Sequence, residues 1–301
     1  MTGSLREKTI RLADNFYLIT APNKSQFPFC NTFLLCGKKT VLIDAGIDRE
    51  TLLAIDREKR IDTLVFSHSH PDHILNWHLL RDRQILMPKE TPASVSDLNL
   101  LGTRFMGTPE KGAYWVKLIG EGLDLHPLRE PDERFCDGDL LEISGFQLQA
   151  VHAPGHLHDH YAFFERKTGI LLTSDIDFSG FGPFYGQPEC SIALFRKSIQ
   201  KVMSLPYTMV CSSHKMPMHG DRTADFKIFS EGFERHREKI LSLCEAPHSL
   251  DELARLSPVY QDRMSDKILQ ETFEKGMISK SLDLMMQDGL LKRSGDKFIQ
   301  I

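Results

Sequence analysis

The feature that most constrains this chain is the heptapeptide SHSHPDH at residues 67–73. It follows the apolar stretch IDTLVF (61–66), which has the length and composition of a buried strand, so we expect it at the carboxyl end of that strand. Imidazole and carboxylate groups are the side chains that proteins use to bind zinc, iron and manganese. The heptapeptide therefore indicates part of a metal site. Its candidate ligands are His68, His70, Asp72 and His73.

Three other apolar stretches end on side chains of the same kind. QLQAVHAPGH ends at His156, GILLTSD ends at Asp175, and TMVCSSH ends at His214. If these strands lie side by side, their terminal side chains converge on one rim of the sheet. We therefore predict two metal positions that share one carboxylate. His68, His70 and His156 form the first position, Asp72, His73 and His214 form the second, and Asp175 bridges them.

This arrangement predicts hydrolytic chemistry. Two metal ions about 3.5–4 Å apart can share a water molecule, lower its pKa towards neutrality and produce a bridging hydroxide that attacks a carbonyl carbon or a phosphorus atom. Asp72 and Asp175 are the candidate catalytic carboxylates. Imidazole ligands also need acceptors that orient them, and Asp44, at the end of the strand-like TVLIDAG, is a candidate for that role.

A second group of residues near these positions is considered for the substrate. Lys215 places a cation next to His214 and is either an anchor for an anionic group or a solvent-exposed side chain. His160 either hydrogen-bonds a ligand or is structural. Tyr185, with Phe181 and Phe184 in the stretch FGPFYGQ, is either an aromatic wall of the pocket or plain packing.

The motif order resembles that of the metallo-beta-lactamase superfamily. The resemblance rests on H-x-H-x-D-H after an apolar strand, then APGH, then LLTSD, then a late strand that ends in His, and it covers residues 10–220. It implies an αββα sandwich with the metal site at one edge, and the two-metal ligand set given above. It also implies that Asp44 supports a ligand. Ser174 and Lys215 stand where the family often has glycine, and neither change removes a ligand.

Alternating strand-like and helix-like stretches predict a layered α/β fold for residues 1–225. A proline-rich insertion at about 88–131 interrupts this pattern, and residues 226–301 are predicted to form a small winged-helix-like domain. Two hairpins are expected, at 31–46 and 161–174, and two strands hinged at Gly145 within 139–153. Helices are expected at 48–56, 73–81, 190–204, 229–246, 248–257 and from 277 to a stop at Gly289.

The composition of the chain limits the kinds of molecule that it is expected to bind. The formal net charge is −4, and residues 231–301 hold eleven Lys/Arg against thirteen Asp/Glu, so nucleic acid is a possible partner but not the favoured one. Six scattered cysteines without a C-x-x-C pair, no secretory leader and no long apolar run predict a cytoplasmic protein that does not bind membranes. A small-molecule substrate is expected, with the C-terminal region as a possible homodimer element.

We therefore expect a metal-dependent hydrolase that acts on an ester or thioester of a small molecule. Its cofactors are expected to be two divalent metal ions, with zinc favoured over iron or manganese. Three alternatives stay open from the sequence: an endoribonuclease or phosphodiesterase of the same fold, an iron-dependent redox enzyme, and a metal-binding regulator without catalysis.

Overall fold

The computed structural model describes residues 3–261 and 263–301. Two β-sheets lie face to face at its centre. Within these residues the first sheet has seven strands, which follow one another across the sheet in chain order. They are β1 (Thr9–Ala13), β2 (Phe16–Ile19), β3 (Thr32–Cys36), β4 (Thr40–Ile43), β5 (Thr63–Val65), β6 (Gln84–Pro88) and β7 (Glu133–Phe135).

The second sheet comes from the following part of the chain. Its strands are β8 (Leu140–Ile143), β9 (Phe146–His152), β10 (Tyr161–Glu165), β11 (Ile170–Ser174), β12 (Met209–Ser212) and β13 (Met218–His219). They are arranged in the order β13-β12-β11-β10-β9-β8. Strands β4 and β5 pair in parallel in the first sheet, and so do β11 and β12 in the second. Each parallel pair therefore delivers two loops to the same edge of its sheet.

Helices cover the outer faces of both sheets. The helices of the described residues are α1 (Gly3–Glu7), α2 (Arg49–Lys59), α3 (Pro71–Ile74), α4 (Leu98–Met106), α5 (Pro109–Trp115), α6 (Ile192–Met203), α7 (Thr223–Ser230), α8 (Gly232–Leu243), α9 (Leu250–Leu256) and α10 (Lys267–Gln287). Short 3₁₀ turns occupy Asn23–Ser25, Trp77–Leu80 and Ala93–Ser96, and a π-helical turn occupies Val116–Glu121.

Three apolar clusters hold these layers together. One lies between the sheets, where Phe33 and Ile43 of the first sheet pack with Phe163 of the second. A second cluster joins the first sheet to α2, α4 and α5, and a third joins the second sheet to α6 and the helices that follow it. Strand β4 is buried along its whole length because it is covered on both faces. The layers confirm the mixed α/β fold predicted from the sequence.

The C-terminal region packs directly against the second sheet. Its helices α8, α9 and α10 are followed by β15 (Leu291–Ser294) and β16 (Lys297–Gln300), which form a small sheet with β14 (His248–Ser249). Ser249 caps α9 through a reciprocal pair of hydrogen bonds with Glu252. Met277 and Leu282 of α10 belong to the same apolar cluster as Val151 of the second sheet. The winged-helix assignment and the boundary near 225 stay predictions.

Several predicted elements are confirmed, and two helices that were predicted to be continuous are interrupted. The hairpins β3–β4 and β10–β11 and the turn at Gly145 between β8 and β9 are present. The helix predicted at 73–81 is instead the short α3 and a 3₁₀ turn, because Asn76 bonds the backbone oxygens of Ala45 and Ile47 and draws the chain out of the helix. The helix predicted at 229–246 is split into α7 and α8 next to Gly232.

The chain is closely packed at the break between α7 and α8. A Cβ atom on Gly232 would lie 2.6 Å from Cδ of Pro183 and 2.8 Å from Cα of Gly182. The chain therefore passes this loop closely just where the helix direction changes. Among the described helices, none combines the length and apolar character needed to cross a bilayer.

Candidate metal centre

The predicted ligands all follow strand ends at one edge of the two sheets. β5 leads into the fully buried loop Ser67–His73, β11 leads into Asp175, and β12 leads towards His214. His156 follows β9 after Gly155, which has φ +124° and passes so close to α6 that a Cβ atom would lie 2.2 Å from the backbone nitrogen of Phe195. A glycine is required there, because both the backbone conformation and the contact exclude a side chain.

The first group of side chains consists of His68, His70, His156 and Asp175. One nitrogen or oxygen from each lies within 4.8 Å of the corresponding atoms of the others. His70 Nδ1 is 3.1 Å from His68 Nε2 and 2.9 Å from His156 Nε2. Asp175 Oδ2 is 3.1 Å from His156 Nε2. Three imidazoles and one carboxylate therefore face a common point.

The second group consists of Asp72, His73 and His214, whose ligand atoms also lie within 4.8 Å of one another. The other oxygen of Asp175, Oδ1, is 3.0 Å from His73 Nε2 and 3.3 Å from His214 Nε2. The carboxylate of Asp175 thus presents one oxygen to each group. The structure brings all seven predicted ligands together, in the two sets expected from the sequence, and their binding of metal stays a prediction.

Each of the five imidazoles has its outer nitrogen against an oxygen acceptor. His70 Nε2 is 2.8 Å from Gln187 Oε1, and His73 Nδ1 is 2.8 Å from Asp44 Oδ2. The other three outer nitrogens face Ser67 Oγ (His68, 3.1 Å), the backbone oxygen of Phe184 (His156, 3.3 Å) and the backbone oxygen of Ser25 (His214, 2.5 Å). A proton held on the outer nitrogen leaves the inner nitrogen with a free lone pair, as a metal ligand requires.

The imidazole nitrogens and carboxylate oxygens that face the centre of each group are suited to bind a cation. His73 Nε2 and Asp175 Oδ1 are buried and lack a hydrogen bond of acceptable geometry within the described residues. Asp44, Asp72 and Asp175 bring three carboxylates into a buried region, which requires compensating positive charge. Burial lowers the pKa of His68 and of His70 well below the ordinary value, so these imidazoles are neutral. Imidazole nitrogen and carboxylate oxygen together suit zinc, iron or manganese.

A network beneath the first group supports the histidine loop. Asp44 accepts hydrogen bonds from the backbone nitrogen and the hydroxyl of Ser67, both at 2.8 Å. The Ser67 hydroxyl is 2.9 Å from that of Ser174. Asp44 and Ser174 have φ values of 62° and 49°, a conformation that costs non-glycine residues about 1–3 kcal/mol. Asp44 therefore contacts a candidate ligand, as predicted, from a strained backbone position.

The remaining predicted residues have different surroundings. His160 is buried, donates to the backbone oxygen of Ala153 and accepts from the backbone nitrogen of Asp175, so it positions that loop and does not line the pocket. Tyr185 is also buried, and its hydroxyl lies 3.3 Å from His236 Nδ1 and Ser281 Oγ. Of the two roles left open for Tyr185, it has the packing role and does not form a pocket wall, because its side chain points into the C-terminal helices; its neighbours Phe181 and Phe184 line the pocket.

Lys215 does not line the pocket beside the ligand groups and lies in a neighbouring cleft. It is exposed and lines a cleft of about 820 Å³ together with Lys24, and this cleft also reaches Asp72 and His214. His219, the histidine that follows His214 in the chain, is exposed in β13 and pairs with Met209.

Two residues that sequence reasoning missed support the site from distant segments. Gln187 orients His70, and its backbone oxygen in turn accepts a hydrogen bond from Lys280 of α10. Arg104 of α4 donates to Ser69 Oγ in the histidine loop at 2.6 Å. The same guanidinium pairs with Asp159 and Glu189. Neither residue belongs to a local motif, so the sequence carried no signal for them.

A chamber of about 660 Å³ opens from the two ligand groups. The insertion contributes a surface that we call the insertion wall, made of Phe105, Trp115, Leu118 and Ile119. The C-terminal region contributes the tail wall, made of Tyr260, Arg263, Met264, Ser265, Asp266, Leu269 and Phe273. The candidate site is thus completed by segments on both sides of the strands that carry its ligands.

Solved structures share this fold, one of them over nearly the whole chain. The metallo-beta-lactamase family protein TTHA1429 from Thermus thermophilus superposes with a TM-score of 0.75 at 21% identity, covering 97% of this chain and 100% of that one. TTHA1623, solved in a di-iron-bound form, has a TM-score of 0.52 at 22% identity and covers 68% of this chain and 94% of that one.

Sequence comparison gives the family. A hydroxyacylglutathione hydrolase from Xylella fastidiosa is 38% identical over 187 residues, which cover 61% of this chain and 58% of that protein. The chain thus matches less than two thirds of the length of this relative. The model of the metallo-beta-lactamase superfamily matches residues 26–214, which hold all seven candidate ligands and most of both sheets. The chain belongs to the metallo-beta-lactamase superfamily.

Proposed function

We propose that the chain hydrolyses an ester or thioester of a small molecule with two divalent metal ions. The observation that carries this proposal is the carboxylate of Asp175, whose two oxygens face two separate groups of ligands. His68, His70 and His156 would hold one ion, Asp72, His73 and His214 would hold the other, and Asp175 would contact both. Such ions supply a water of lowered pKa and polarise the scissile carbonyl group.

The chain itself contributes orientation and exclusion of solvent. The acceptors Asp44, Ser67 and Gln187 and the backbone oxygens orient the imidazoles, so the inner atoms are arranged before any ligand binds. The chamber brings apolar walls to the same edge, which lowers the local polarity around a bound carbonyl group. A hydrolase needs both properties, since a loosely held site loses much of its catalytic advantage.

The relatives support a thioester as the bond that is hydrolysed. The Xylella fastidiosa protein is named as a hydrolase of hydroxyacylglutathione, which is a thioester. Zinc is our first choice of metal on the basis of the donor atoms, with iron and manganese as alternatives. The di-iron form of TTHA1623 supports testing iron in the same experiment.

The test combines metal analysis with a substrate panel. The purified protein should contain about two equivalents of divalent metal and hydrolyse S-acetyl-N-acetylcysteamine, with thiol release as the readout. A chelator should abolish the activity, and zinc, iron or manganese added back separately should restore it to different extents. His70→Ala and Asp175→Asn should lose metal and activity while their circular dichroism stays unchanged.

His219→Ala is the matched control, because His219 is exposed and lies outside both ligand groups. It should keep metal content and turnover. Full metal content and activity in folded Asp175→Asn protein would contradict the proposal, and so would turnover that survives complete removal of metal.

A further inference from the structure

The chamber beside the ligand groups has polar side chains at one side of its lining and mainly apolar side chains elsewhere. Its floor is formed by His70, Asp72, His156, Asp175 and His214, and its walls are mainly aromatic and aliphatic. Trp115 and Leu118 stand in the insertion wall, opposite Leu269 and Phe273 in the tail wall. A volume of about 660 Å³ lies within the range of roughly 300–1,000 Å³ that encloses a small organic ligand.

Aromatic contacts connect the ligand imidazoles to the tail wall. The ring of Phe184 lies 5.8 Å from that of His156 and 6.3 Å from that of His70. On its other side Phe184 meets the ring of Phe273 of α10 edge-on at 5.4 Å. Helix α10 is fixed there, because a Cβ atom on Gly276 would lie 1.8 Å from the backbone oxygen of Gly186. The apolar surface is therefore continuous from the reacting centre outwards.

The charged groups of the tail wall already have partners. Asp266 accepts a hydrogen bond from the Tyr114 hydroxyl at 2.5 Å, which joins α5 to the start of α10. The guanidinium of Arg263 lies over the ring of Phe181, 5.6 Å from its centre. These contacts keep both charges at the chamber's margin. An apolar group can therefore pack along the tail wall without burying an unpaired charge of that wall.

The neighbouring cleft offers the opposite chemistry. It reaches the same Asp72 and His214, and it carries Lys24 and Lys215 at its exposed side. A substrate that spans the metal centre thus meets an apolar space on one side and, on the other, a polar cleft of mixed charge, which Glu7 and Asp177 also line. An apolar half of a substrate would therefore favour the chamber, and a polar half would favour the cleft.

We infer that the substrate is a thioester or ester whose acyl group is apolar and fills the chamber, while its polar thiol or alcohol half lies towards the cleft with Lys24 and Lys215. This inference rests on the proposed hydrolase function and adds its substrate class. Water adds to the acyl carbonyl carbon, the carbon–sulfur or carbon–oxygen bond breaks, and the products are the apolar carboxylate, the free thiol or alcohol and one proton.

The test varies the acyl chain while the thiol stays the same. With S-acyl derivatives of N-acetylcysteamine from acetyl to octanoyl, kcat/KM should rise by about fourfold for each buried methylene until the chamber is filled. The ratio of octanoyl to acetyl activity should fall at least tenfold in Leu118→Ser. Leu100→Ser is the matched control, since Leu100 is an exposed leucine of the insertion outside the chamber lining, and should keep the ratio.

A binding measurement separates this inference from the function itself. Octanoate, the product of the longest substrate, should quench the fluorescence of Trp115, and the quenching should be lost in Trp115→Phe, which keeps the buried Trp77 as an internal reference. A flat or falling dependence on chain length, with thioesters still hydrolysed, would overturn the inference and leave the proposed function standing. If no ester or thioester is hydrolysed, the proposed function fails, and octanoate that does not quench Trp115 then rejects the chamber assignment as well.

Discussion

Arg104 links the insertion to the histidine loop, and its replacement by methionine should destabilise the fold strongly. Its partner Asp159 is fully buried, with Oδ1 3.1 Å from Arg104 Nη2 and Oδ2 without a hydrogen bond within the described residues. Arg104→Met removes the charge but fills similar space, so it leaves a buried carboxylate without compensation. Breaking such a pair costs about 3–5 kcal/mol, a large part of the roughly 5–15 kcal/mol by which a typical domain is stable.

Thermal and urea denaturation followed by circular dichroism at pH 7 measure this loss. We expect the midpoint temperature to fall by roughly 10 °C at equal metal content. The double variant Arg104→Met/Asp159→Asn should recover much of the loss, because the orphaned charge is then absent. Arg11→Met is the control, since the Arg11–Asp14 pair is solvent-exposed and should contribute nothing measurable. A loss below about 1 kcal/mol in Arg104→Met, or no recovery in the double variant, would refute the reasoning.

Three further predictions follow from single contacts. Gln187→Leu removes the acceptor of His70 and should weaken metal binding by about 10–100-fold in chelator competition, and unchanged affinity would count against its positioning role. Gly155→Ala should cost about 2 kcal/mol or more in urea denaturation, because φ is +124° and the Phe195 backbone leaves no space; wild-type stability would show that the loop relaxes freely. Burial lowers the pKa of His236 to about 4, below the ordinary 6.5, so the unfolded chain takes up the proton first and stability should fall by at most about 3 kcal/mol between pH 6.5 and 4. His236→Gln should flatten that dependence, and an unaltered slope would exclude this source.

The positions of the candidate ligands were predictable because each depends on local order. An apolar strand followed at once by His or Asp places that side chain at the sheet edge, and this rule located His68, Asp175 and His214 without knowledge of the pairing. Which strands pair was not predicted from this rule. In the structure β11 and β12 run in parallel, and this pairing brings their ends together.

The support around those ligands could not be predicted, because it comes from contacts between distant segments. Gln187 meets His70 across 117 positions, and Arg104 meets Glu189 across 85. Phe273 reaches Phe184 only because α10 starts at Asp266 as its N-cap, about ten residues before the helix start predicted from the hydrophobic pattern. Asn76 ended the predicted helix through bonds to the loop after β4, an interaction that helical periodicity does not contain.

The contact between Gly186 and Gly276 has a consequence for how this chain can vary. With one backbone pressed against the other, α10 has no room to slide or rotate at the crossing, and any larger residue at either position must push the helix away from the loop that precedes Gln187. A chimera that took α10 from a relative without this glycine would therefore change the loop beside the metal ligands, although the exchanged helix contains none of them.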